Sequence, residues 1–87
     1  MKLKNGLSLQ NMGDEFVVVA DRPEVFRGMI KLNTSGAFIF HLLQSEISLE
    51  KIVNRIVEKY DVDKNTAESD LLAFIEPFKT AGLIENE

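Results

Sequence analysis

No cysteine occurs in the 87 residues, so neither a disulfide framework nor a thiolate metal site is available. That absence fits a cytoplasmic protein. Histidine occurs once, as His41, inside a stretch dense with apolar residues and without partners at a metal-ligand spacing. It reads as a structural side chain. Ser35, Ser45, Ser48 and Ser69 lack a base at a recognisable spacing, so nothing points to nucleophilic catalysis. Neither Gly36 nor Gly82 adjoins the Gly-Lys-Ser/Thr of a phosphate-binding loop. No apolar run approaches the roughly 20 residues that span a bilayer, and Met1–Gly6 lacks the apolar stretch of a signal peptide. Basic charge is also in short supply: the net charge of −4 argues against a nucleic-acid partner. The expectation is a chain that is not an enzyme, with no cofactor, no metal, no nucleic acid and no membrane.

What is present reads as one small α+β domain over residues 1–87, because this length supports one core. Leu7-Ser8-Leu9-Gln10 alternates apolar and polar, the period of a half-buried strand. Glu15–Ala20 is rich in β-branched residues and apolar on both faces, which predicts a central strand. Asp21-Arg22-Pro23-Glu24 is a turn, and Gly28–Leu32 is the third strand of an antiparallel meander. Asn33 caps a first helix that runs to about Leu43 and is apolar nearly all round, the mark of a buried hub. Ser48 caps a second helix with an unbroken stripe of Leu49, Ile52, Val53, Ile56, Val57 and Tyr60. Asp63 caps a third, with Asn65 and Glu68 as a competing capping box. Its stripe is Ala67, Leu71, Phe74, Phe78 and Ala81, and Gly82 ends it. Pro77 inside that pattern predicts a kink or an end.

The run Gly28-Met29-Ile30-Lys31-Leu32-Asn33 leads from strand to helix cap with no loop between. In a meander with the second strand central, the third has one side unpaired, and an incoming segment can add to it through main-chain hydrogen bonds. Lys31 is its only charged guard. The other reading is an edge covered by the third helix or by the chain's own tail. Leu72 and Ile75 fall off the core stripe of the third helix. They either widen the core face or line a groove beside the third strand, with Lys79 and Glu68 between and around them. Lys51, Arg55 and Lys59 form a basic row on the second helix, either a solvated face or a docking patch for an acidic partner.

The sequence "GMIKLN", with the small Ser35-containing helix start after it, resembles the PqqD family. These are the peptide-chaperone domains of pyrroloquinoline quinone biosynthesis and, more widely, the precursor-peptide recognition elements of ribosomally made, modified peptides. The resemblance extends over Ser48–Val53, Tyr60–Asp63, Leu72-Ala73-Phe74 and Gly82-Leu83-Ile84, nearly the whole chain from about Leu7. Pro77, and Gln44-Ser45-Glu46 where relatives often turn on Asp-Gly, depart from it. The resemblance implies a winged helix-turn-helix-like fold and a non-catalytic peptide chaperone. Such a domain binds the leader of a precursor peptide by β-strand addition and presents it to a modifying enzyme, often a radical S-adenosylmethionine protein that carries its own cofactors. The peptide-binding residues would be Gly28, Met29, Ile30, Lys31, Leu32, Leu71, Leu72, Ile75 and Lys79. The expected state is a monomer or a weak homodimer through the sheet edge. The alternative function is a winged-helix regulatory or dimerisation domain.

Overall fold

A computed structural model describes residues 1–85. Residues 86 and 87, the tail of the expected 1–87 domain, lie outside the described residues. In chain order the elements are β1 (Lys2–Leu3), β2 (Leu7–Met12), β3 (Glu15–Ala20), β4 (Ile30–Leu32), α1 (Thr34–Leu42), α2 (Leu49–Tyr60), α3 (Lys64–Thr80) and β5 (Ile84–Glu85). Strands β2, β3 and β4 form an antiparallel sheet in that order, so β3 is central and β4 an edge. With α1 packed against it and α2 and α3 packed against α1, the protein is α+β, as the pattern predicts.

The β2–β3 hairpin turns on Gly13-Asp14, with Met12 opposite Glu15. Gly13 has φ of 79° and Asp14 does not share the positive φ, which is the II′ turn that matches strand twist. This tight turn sets the phase of the whole sheet. Pairs Met12–Glu15, Gln10–Val17 and Ser8–Val19 carry the ladder bonds between β2 and β3. The main-chain groups of Phe16 and Val18 therefore point the other way, at Leu32 and Ile30 of β4. By the same alternation, the amide and carbonyl of Lys31 point away from β3, along the free edge.

Helix α1 follows β4 after Asn33 alone. The Gly36 amide donates to Asn33 Oδ1 at 2.8 Å, which caps the helix. Gly36 is packed so closely against β4 that a Cβ there would stand 3.1 Å from Leu32 Cβ. Helix α1 touches β3, β4, α2 and α3, the hub role its composition predicts. Its Ile39, Phe40 and the C-capping Leu43 are buried, whereas Phe38 and Leu42 are only half-buried. Phe38 meets Tyr60 edge to face, with Lys59 Nζ 5.8 Å above its ring.

Ser48 and Asp63 cap α2 and α3 as expected. The Thr66 amide donates to Asp63 at 2.7 Å. That bond, and then the Thr66 side chain, hold the Asp63 carboxyl below its ordinary value of 3.8. A depressed folded-state pKa contributes stability above the unfolded value, and that stability is lost as pH falls through the folded one. Asp63→Asn keeps a capping acceptor without the titration. It is expected to flatten the acid limb of the stability–pH curve below about pH 4, measured by urea unfolding; an unchanged limb rules the cap out as its source.

Helix α3 continues through Pro77, contrary to an end there. Pro77 cannot donate to the Ala73 carbonyl, but the Ala81 amide donates to the Pro77 carbonyl at 3.1 Å and the helix is carried on. It closes in a Schellman motif: Gly82, at φ 72°, donates to Lys79, and Leu83 donates to Phe78 at 2.9 Å. Leu83 then enters the core.

Two strands are additional to the expected meander. β1 and β5 pair antiparallel, Leu3 opposite Ile84, in a separate two-stranded sheet. The Leu3 amide donates to Leu43 and the Lys4 amide to Leu83. Two residues are too few to show a period of 2, so the pattern could not reveal them. The third strand also starts at Ile30, not Gly28. Gly28 has φ of 115°, outside strand geometry. Among the described residues, no helix is long and apolar enough to cross a membrane.

Candidate functional site

The free edge of β4 faces a groove whose far wall is α3. The groove holds about 230 Å³ and is open to solvent. Its floor is apolar: Leu32 from β4, Ile39 from α1 and Phe74 from α3, all buried. Phe74 is held in place by stacking on Phe78, with centroids 4.7 Å apart. Gly36 and Ala73 line the walls, and neither presents more than a small group. Two exposed charges of opposite sign, Lys31 and Asp70, stand at its mouth.

An extended peptide laid along β4 would meet the outward amide and carbonyl of Lys31 and set alternate side chains over this floor. Two main-chain bonds contribute about 1–3 kcal/mol net. One Leu-sized side chain removed from water adds about 1.5–3 kcal/mol. For such a peptide the strand edge would set register and direction, and the apolar floor would supply at least as much of the affinity. Among the described residues, no group of three or more His, Cys, Asp or Glu is placed to hold a metal ion. His41 is exposed on α1, beside the Phe40 ring.

The structure distributes the sequence candidates among different places. Met29, at 61% exposure, and Gly28 lie just before β4. Ile30 is half-buried, Lys31 exposed and Leu32 buried. Leu72 and Ile75 do not line the β4–α3 groove, which corrects the expectation for both. Ile75 is 6% exposed and belongs to the core, the wide-face reading of the stripe. Leu72 is 64% exposed and lines, with Leu71, a second groove between α2 and α3. Lys79 is exposed near the end of α3.

The reason is rotational. At roughly 100° per residue, Glu68, Leu72, Ile75 and Lys79 fall on one flank of the Ala67–Leu71–Phe74–Phe78 stripe. Asp70, Ala73 and Pro77 fall on the other. The α2 side received the first flank and the β4 side the second. Asp70, Ala73, Phe74, Ile39 and Gly36 were thus missed as groove residues. Only Gly36 left a trace in the sequence, as a small residue in the first turn after the Asn33 cap.

The family model for "Coenzyme PQQ synthesis protein D (PqqD)" matches residues 15–84. No curated protein sequence matches the chain significantly. Among solved structures, one described as "TbiB1 in complex with the TbiA(beta) leader peptide" is similar to it. The identity is 28% and the TM-score 0.76, over 100% of this chain and 98% of that one. The model match runs from the central strand through all three helices to β5, and so takes in both the edge strand and the helix that faces it; the protein belongs to the PqqD family.

Proposed function

We propose that this chain is a non-catalytic, cytoplasmic peptide-binding accessory protein for the modification of a ribosomally made precursor peptide. It holds the peptide's leader as a strand added to the free edge of β4, with apolar leader side chains over Leu32, Ile39 and Phe74. It presents the rest of the peptide to a modifying enzyme. A radical S-adenosylmethionine enzyme suits the family, and its cluster and cofactor would belong to that enzyme. The observation that carries this reading is the coincidence of an outward-facing main chain at Lys31 with an apolar floor directly beneath it. Family membership supports it, and so does likeness to a protein solved with a leader peptide bound. A disordered leader loses conformational freedom on binding, so a short edge with one or two anchors suits a reversible hand-off.

The test is an amide NMR titration with the leader of a short precursor encoded beside the gene. Saturable shifts are expected at Ile30–Asn33 and Asp70–Phe74. Shifts confined to α2, or none at several hundred micromolar with folded protein, would count against the reading. Ala73→Trp fills the groove from an exposed wall position. It should weaken the leader by about tenfold or more while changing stability by less than about 0.5 kcal/mol. Unaltered leader affinity in this variant would place the peptide elsewhere.

A further inference from the structure

The second groove is larger than the first. It lies between α2 and α3 and holds about 440 Å³, within the roughly 300–1,000 Å³ usual for sites that enclose a ligand group. Val53 and Leu71 form its buried floor, and Leu49 and Leu72 its rim. Among the described residues four large hydrophobic side chains are exposed: Met12, Met29, Leu49 and Leu72. Two of the four converge here, at 47% and 64% exposure, over an apolar floor. Water is a poor occupant of such a surface, and patches of this kind mark contact sites.

The polar part of the lining is Glu50, Glu68 and Lys64, a net negative rim. Among the described residues none of the three takes part in an ion pair. A partner segment with an apolar anchor and an adjacent cation complements that rim. A second copy of this chain complements it less well, because a self-complementary contact sets two carboxylates of each copy, Glu50 and Glu68, against the single cation Lys64. The leader does not reach it, since β4 lies on the opposite flank of α3. Leu72 and Ala73 are about 100° apart on that helix, and only Ala73 lines the leader's groove.

The geometry points to the α2–α3 groove as the docking seat of the modifying enzyme. It would take an amphipathic helix with one or two branched-aliphatic or aromatic anchors beside a Lys or Arg, the helix-in-groove mode. The partner's identity rests on the function proposed above. Helix α3 then serves as wall to both sites, with the leader on its Asp70–Ala73 flank and the enzyme on its Glu68–Leu72 flank. The two ligands can be held at once.

The experiment measures binding of the modifying enzyme encoded beside the gene to the full chain, first without leader and then with it. Leu72→Glu and Leu49→Glu both alter exposed positions and are checked for folding by thermal melting. Each is expected to weaken the enzyme by about tenfold or more, with leader affinity within about twofold of wild type. Glu68→Lys is expected to weaken the enzyme severalfold and to reverse part of the salt dependence. Unchanged enzyme affinity in both leucine variants overturns the proposal, as does the absence of any enzyme binding by wild type. Equal loss of leader affinity also overturns it, because the groove is then part of the peptide path. A wild-type dimer that Leu72→Glu converts to monomer, with enzyme affinity unchanged, gives the groove to a second copy. Enzyme binding through the groove without any leader binding leaves this inference standing and removes the peptide-capture reading instead.

Discussion

Lys31→Pro is expected to weaken leader binding by about tenfold or more while the domain stays folded. The expectation follows from the phase of the sheet. The Gly13-Asp14 turn pairs Met12 with Glu15, so alternate residues of β3 face β2 and the others face β4. Val17 and Lys31 are opposite each other without exchanging bonds. The Lys31 amide is directed at the free edge, where an added strand would accept from it. Proline removes that donor and sets its ring in the path of the incoming chain, but it takes nothing from the β3 ladder. Lys31→Ala separates main chain from charge. It keeps the amide and should cost the leader no more than about threefold. Titration calorimetry with the leader, and thermal melts of both variants, decide the matter. A Lys31→Pro protein that binds normally would remove strand addition at β4; one that unfolds would place the Lys31 amide in the β3 ladder.

Ile75→Ala is expected to destabilise the fold by about 2–5 kcal/mol, whereas Leu72→Ala should stay within about 0.5 kcal/mol. The two residues are three apart on one helix and chemically alike, yet Ile75 is 6% exposed and Leu72 64%. Truncating Ile75 loses the burial of its methylenes and opens a void among the closely packed side chains of the core. In a domain of this size that lowers the melting temperature by about 10 °C or more. Truncating Leu72 shortens a side chain already in water and places a good helix former there. Its effect should appear in enzyme docking and not in stability or leader affinity. Urea unfolding of the two variants is sufficient: equal losses of stability would mean that Leu72 is packed and the α2–α3 groove is closed in solution.

These two residues also mark the line between sequence and tertiary structure. Local rules govern what a residue does to its own neighbourhood, and there the sequence was sufficient. Asn33, Ser48 and Asp63 cap their helices because a short side-chain acceptor reaches the third amide of the turn that follows. Gly82 ends α3 because the chain must take a positive φ there. Glu15–Ala20 is the central strand because it is apolar on both faces, and a central strand in a meander leaves the next one an edge. The family was legible as a resemblance carried by "GMIKLN", the run in which a strand passes directly into a capped helix.

What the sequence did not contain is which element each helical flank meets. A period of 3.6 residues defines a buried stripe but treats its two flanks alike. Only the placement of α2 and β4 about α3 assigned Asp70 and Ala73 to the groove beside the β4 edge and Leu72 to the other groove. The β1–β5 pair was hidden because its two-residue strands form through contacts across the full length of the chain, and no local pattern encodes them. Sequence alone therefore determined the three helices with their caps, the three-strand meander and the outer position of β4 in it. Tertiary packing decided the lining of both grooves, because side-chain direction around a helix acquires meaning only when its neighbours are in place.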